Sequence, residues 1–524
     1  VMKRTAHLIV AVGTVGLLAV LLILMAGTKP AAHADGATIK VPDDHATIQA
    51  AIDAATDGDT ILVAAGIYRE NLSVTEGITL TGGWDPTFGT QDPGSSAILG
   101  QGLGRVISIT CPSSDTVVTV DGFTIEQGDA TGLGGAAMVA AADEEAPGRR
   151  TAPVPDPLSP AEHLARIEAD LAGMVAAGLY PGDSAGYQAM MERVEQQIAK
   201  FEPAQTQSAE KRDPSQPGVD YGGGIYSWNA SLHLLNSTIY GNLASLEGDG
   251  RGGGVFVGQA APGGTVIRGN TFRENIASAA PTATGLGGGL YATQARGLVV
   301  EDNVFQENAG TSAGLLSVGE GGGLFLDASP AAIVRDNRIV HNTANGGWES
   351  LDGLGGGAVL RRADGATVAR NLFHENLGIL HGQGGGGGLA VLGSEEVVLA
   401  DNEVIGNWGL IFQMDRAGAG GGGIALYSTA HITATDNVIR DNTATVSGAH
   451  VGFTTGGGLD GQQWYKVRIT GNTFTGNVAC PTGAGRGGGA SLWAAQASEV
   501  TGNTFAGNAA NLAGGSGAGG GLFL

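Results

Sequence analysis

From residue 222 onward, apolar and polar positions follow one scheme nine times over: a glycine triplet, a short apolar segment, a second apolar segment, then Asn-x-apolar-x-x-Asn. The second asparagines are Asn242, Asn275, Asn308, Asn342, Asn376, Asn407, Asn442, Asn477 and Asn508, at intervals of 31–35 residues. Interval length varies almost wholly between that asparagine and the next triplet, so this stretch reads as a loop. Within a unit the apolar segments run three to six residues, rich in Val, Ile, Leu and Phe, and no helical period appears. Three columns stay apolar from unit to unit. One holds Ile239, Phe272, Phe305, Ile339, Phe373, Val404, Ile439, Phe474 and Phe505; a second holds Ile267, Val300, Val334, Val368, Leu399, Ile469 and Val500. The third follows the glycines: Ile225, Val255, Leu290, Leu324, Leu389, Ile424 and Leu459. Three inward strands per turn, stacked in parallel register, are what such columns require.

The fixed polar positions fit the turns. Glycine tolerates positive φ and close backbone approach, which suits a tight corner repeated in every coil. Asparagine also visits the left-handed region and bonds to backbone within turns, so the recurrent asparagines read as structural, stacked into amide ladders.

Two stretches break the scheme. Lys3 and Arg4 precede an apolar run over 8–25 and then Ala32-His33-Ala34. This reads as a secretory signal over 1–34, or as an uncleaved membrane anchor. Either way the rest lies outside the cytoplasm. Residues 135–219 hold a linker with Pro153, Pro155 and Pro157, then Ser159-Pro160-Ala161-Glu162 as a capping box. Leu164, Ile167, Leu171, Met174 and Val175, then Tyr187, Met190, Val194, Ile198 and Phe201 after a Pro181-Gly182-Asp183 turn, predict an inserted α-helical hairpin. It either packs on the solenoid's flank or docks a partner. The remaining segments are 35–134, an N-terminal cap with the first coils, and 220–524, about nine further coils. The last residues, Gly521-Leu522-Phe523-Leu524, fall mid-coil, so further chain is expected beyond them.

Thr47-Ile48-Gln49-Ala50-Ala51-Ile52-Asp53-Ala54-Ala55, with Gly58-Asp59-Thr60-Ile61-Leu62-Val63 and Gly66-Ile67-Tyr68-Arg69-Glu70-Asn71, resembles the opening of pectin-lyase-like right-handed β-helix proteins. The repeats, with Gly222-Gly223-Gly224-Ile225-Tyr226 and Asn236-Ser237-Thr238-Ile239, resemble right-handed β-helix repeat proteins of bacterial surfaces. The resemblance covers 38–130 and 220–524. It implies an all-β right-handed parallel β-helix solenoid whose apolar end is closed by a short N-terminal capping helix. It does not fix an activity, since the superfamily holds lyases, hydrolases, esterases, epimerases and non-enzymes.

Composition then narrows the partners. The chain has 92 glycines in 524 residues against 18 prolines, and 42% hydrophobic residues. That apolar content rejects disorder and makes the glycine architectural. A net charge of −23 repels a phosphate backbone, so nucleic acid is no partner, and a membrane is one only through an uncleaved N-terminus. Cys111 and Cys480 stand about nine coils apart, roughly 40–45 Å at the inter-strand spacing, too far for a disulfide.

The catalytic motifs of the related esterases, polygalacturonase-type hydrolases and alginate epimerases are absent; dispersed lyase residues are harder to exclude. Three features remain. The residue before the second asparagine is Glu274, Glu307, His341, Glu375 and later Asp441. Stacked Glu307, His341 and Glu375 would set an imidazole between two carboxylates, able to move a proton or attract a cation, or would form an ordinary solvated turn. The column Asp302, Asp336, Arg370, Asp401 and Asp436 reads as an ion-pair ladder; calcium is the lesser reading, and no resident metal or cofactor is assigned. Tyr226, Phe256, Tyr291 and Phe325 follow the first inward residue in consecutive coils and so face outward. An exposed strip of rings would bind sugars in a substrate-binding face, unless the inserted hairpin covers it. The expectation is an exported, secreted or cell-surface protein that binds extracellular polysaccharide or a cell-surface protein. A polysaccharide lyase or glycoside hydrolase acting on acidic polysaccharide is the alternative.

Overall fold

The computed structural model describes residues 36–135, 218–312, 317–347, 350, 352–413, 419–445, 454–481, 483–512 and 516–524. The N-terminal segment and the predicted hairpin lie outside them. The coils on either side of the insertion pair directly, through Ile107↔Ile225, Val120↔Leu234 and Ile125↔Ile239.

Three long parallel sheets wind along one axis. Strands that precede the first asparagine form a 13-stranded sheet running from Thr38–Val41 to Glu499–Thr501. Those between the two asparagines form a 12-stranded sheet from Gly66–Tyr68 to Thr504–Ala506. Those after the glycines form another of 12 strands, from Leu72–Val74 to Leu522–Phe523. Register is kept from coil to coil, as in Ile225↔Val255↔Leu290↔Leu324 and Phe272↔Phe305↔Ile339↔Phe373. The three apolar columns therefore stack like on like and share one continuous buried core, with Val500 and Phe505 packed at its margin.

Both asparagine columns run as buried ladders, one at each corner flanking the inter-asparagine strands. Asn342 is typical: its Nδ2 donates to Phe305 O, Val340 O and Asn376 Oδ1, and its Oδ1 accepts from Asn308 N and Nδ2, all at 2.9–3.1 Å. Asn270, Asn303, Asn337, Asn371, Asn402, Asn437 and Asn472 repeat this one corner earlier. Each amide satisfies backbone groups that a turn would otherwise bury unpaired.

The loop expected between asparagine and triplet is mostly not a loop. It contains two short strands per unit, and together they build an 18-stranded outer sheet. The two ladders press together at backbone distance: a Cβ on Gly250 would stand 1.7 Å from Ala277 O, and one on Gly319 2.0 Å from Ala344 O. Only glycine fits there. In the triplets, Gly287 has φ +66°, and a Cβ on Gly288 would meet Ala309 O at 2.3 Å.

Among the described residues one α-helix occurs, Ile48–Ala54, with Thr47 Oγ1 accepting from Ala50 N and Ile48, Ala51 and Ile52 buried in the main core. Cys111 and Cys480 are buried and free. No described helix is long and apolar enough to cross a membrane.

Candidate functional site

The corner after the inter-asparagine strands places one left-handed residue per coil. Glu274, Glu307, His341 and Glu375 take φ of +52° to +58°, at positions where Gly241 and Gly406 stand in other coils. Because the flanking strands are in register, these side chains project outward one above another. The structure brings His341 and Glu375 together, with His341 Nδ1 3.4 Å from Glu375 Oε2. It adds a residue that sequence reasoning missed. His374, last in the strand Leu372–His374, sets its Nε2 3.4 Å from Glu375 Oε1, and the two imidazole centroids are 5.8 Å apart. The adjacency of His374 to Glu375, one coil beyond His341, was the available signal. Glu307 lies outside this close group, 3.6 Å from Arg273 Nε and accepting from Gln306 Nε2. The close group that the structure shows is two imidazoles around one carboxylate, with Glu307 at the equivalent corner one coil earlier. All three side chains are partly exposed.

The aromatic column faces away from the main core, as alternation requires, but it is not a surface strip. Tyr226, Phe256, Tyr291 and Phe325 are 4%, 1%, 0% and 0% exposed. They stack with centroids 5.3–5.7 Å apart and make a second core of their own. The residues just before each glycine triplet cover them: Tyr221 lies edge-on to Phe256 at 4.7 Å, and Leu286 joins the cluster. Arg105, Arg251 and Arg361 close over the rings of Tyr226, Tyr291 and Phe325. Sugar stacking on these four rings is therefore excluded by burial, and the described cover comes from the solenoid's own outer strands.

That cover carries charge into the interior. Asp327 accepts from Arg361 Nε at 3.2 Å and from Arg362 Nη2 at 2.7 Å. Burial acts to raise its carboxyl, but Arg361 and Arg362 outweigh that and hold it below the ordinary value. Burial raises Glu320, which Arg361 only partly offsets, and pushes the Tyr291 hydroxyl up to about 12. This network packs and neutralises rather than reacts.

The aspartate column is a ladder around one cation. Arg370 meets Asp336 in a fork, Nε to Oδ1 and Nη2 to Oδ2, both 2.7 Å, while Asp302 and Asp401 add to its field. The pair is exposed and screened, so Arg370→Ala is expected to leave the unfolding midpoint essentially unmoved in calorimetry. A clear drop would show that the ladder holds coils together.

Fold and corner define a parallel β-solenoid with polar side chains stacked outside its turns. The chain belongs to the family described as right handed beta helix region, whose model matches residues 219–384 and 352–505. No curated protein matches it significantly. Among solved structures it is similar to the A-module of the Azotobacter vinelandii mannuronan C-5 epimerase AlgE6, at 15% identity over 87% of this chain and 93% of that one, TM-score 0.33. The periplasmic alginate epimerase AlgG shows 13% identity over 84% and 77%, TM-score 0.30. The family 28 exopolygalacturonase of Yersinia enterocolitica shows 12% over 93% and 78%, TM-score 0.33. Likeness at this level assigns no activity.

Proposed function

We propose that the chain is exported and binds extracellular polysaccharide, or a cell-surface partner protein, along the outer face of its inter-asparagine sheet. Export rests on the basic and apolar N-terminus with its Ala32-His33-Ala34 site. The helix Ile48–Ala54 is taken to close the tube at that end. The observation that carries the binding reading is the outward column Tyr240, Arg273, Gln306 and His374, interrupted by Val340, in consecutive in-register coils. A chain of sugar rings along the axis would find hydrogen-bonding groups at successive rungs. With a net charge of −23, uncharged polymers suit this face better than polyanions. Affinity electrophoresis against neutral and uronate polysaccharides tests it. Retention by a neutral polymer is expected, weakened about fivefold by Arg273→Ala, the equivalent of roughly 1 kcal/mol for one exposed charged hydrogen bond. Retention by none, or retention indifferent to Arg273, removes the reading.

The 3.4 Å approach of His341 to Glu375 favours a second reading, a polysaccharide lyase or glycoside hydrolase with a divergent acid/base site. Soluble products released from uronate polymers, with and without calcium, and lost in His341→Ala, would select it over the first.

A further inference from the structure

We infer that His341, His374 and Glu375 form a binding site for a zinc-type divalent transition ion, independently of which polymer reading holds. One ligand atom from each residue lies within 4.8 Å of the other two. Two ligands about 2.0–2.1 Å from zinc at the tetrahedral angle stand roughly 3.4 Å apart. The contacts His341 Nδ1–Glu375 Oε2 and His374 Nε2–Glu375 Oε1 are both 3.4 Å. The two contacts use different carboxylate oxygens, so one ion would be held by both oxygens of Glu375, or by one after the carboxylate turns, with the imidazoles drawn in from within 4.8 Å.

The supports are rigid. His341 and Glu375 occupy equivalent corner positions of consecutive coils, and each adjoins a buried ladder asparagine, Asn342 or Asn376. His374 is held in strand register between Val340 and Ile405, both buried, so aliphatic surface flanks its imidazole. In the next coil the corner residue is Gly406, where even a Cβ would approach Glu375 Cγ at 3.4 Å. Glycine there leaves that side of the carboxylate uncovered by a corner side chain, which provides room for water or substrate as a fourth ligand. Two imidazoles and one carboxylate select zinc, cobalt or nickel over calcium and magnesium, which prefer oxygen alone.

The test uses the full secreted chain, stripped with chelator and titrated with Co²⁺ as a spectroscopic probe, then with Zn²⁺. The expected result is one equivalent bound, with visible d–d absorption of a four- or five-coordinate ion that Zn²⁺ abolishes. His374→Ala and Glu375→Gln should each weaken binding by more than about 100-fold, beyond the usual effect of a residue one shell further out. Their far-UV dichroism and melting without metal should stay unchanged, because both side chains are partly exposed. His431→Ala, well away in the chain, should bind normally. Absence of the d–d band, or full stoichiometry surviving in both ligand variants, overturns the assignment.

Discussion

Asn342→Ala is expected to destabilise the solenoid by about 3–5 kcal/mol, read as a lowered denaturant midpoint. The side chain is fully buried and makes five hydrogen bonds linking three successive coils. Truncation does more than remove those bonds. It leaves the buried Asn308 N–H without its acceptor and removes the Nδ2 links to the neighbouring coils, the unpaired donor alone costing roughly 1–3 kcal/mol. Alanine cannot restore that bond. Asn342→Asp should be no milder, since it keeps the shape but replaces two donors with a buried charge. Asn508 provides the contrast. It accepts from Asn477 in the same way but is only half-buried, so water substitutes for the lost amide and Asn508→Ala should cost about 1 kcal/mol. Equal losses at 342 and 508 would mean that burial of the ladder is not what gives it strength.

What was legible in the sequence follows from how strongly each position is constrained. Inward positions must be apolar in every coil, because a polar group there would break one continuous core. Ile267, Val300 and Val334 therefore align without ambiguity. The ladder asparagines were equally plain, since few side chains both accept from and donate to backbone at a corner. The outer strands were not. In the second strand of each pair, from Gly250 to Gly353, the middle residue is glycine because a Cβ would run into the neighbouring backbone, and the residue after it varies freely: Arg251, Leu286, Glu320, Leu354. Two residues of which one is glycine and the other anything carry no hydrophobic period, so the stretch passed for a loop. That single omission exposed the aromatic column on paper and buried it in the molecule. Glycines two residues ahead of the triplets, Gly250, Gly285, Gly319 and Gly353, were the missed sign. The corner cluster was half legible. The column of Glu307, His341 and Glu375 could be aligned, but His374 lies one residue before its column and joins it only because the strand end turns outward beside it.

The outer column of the post-glycine sheet changes character along the tube, and this leads to the second large effect. After Phe325 it runs Val359, Ala390, Ala425, then Asp460 and Ser491. Asp460 thus takes a place filled by rings elsewhere, with no exposure to solvent, beside Tyr427 and accepting from Gln462 Nε2 at 3.1 Å. Burial pushes its carboxyl up from 3.8 to about 6, and hydrogen bonds from Gln462, Thr455, Ser491 and Tyr427 recover only part of that. The folded state therefore holds this proton more tightly than the unfolded chain. Its stabilising contribution is complete below about pH 4 and is lost as pH rises through about 6, a difference on the order of 3 kcal/mol for two pKa units. Asp460→Asn keeps the shape and cannot ionise. It is expected to match the parent at pH 4 and to exceed it by about 3 kcal/mol at pH 7.5, measured as paired unfolding curves. The paired difference removes every other titrating group, so its pH profile reports Asp460 alone. A flat difference across pH 4–8 would mean that the carboxylate is already satisfied in the fold and that the polar end of the outer core is as settled as its aromatic end.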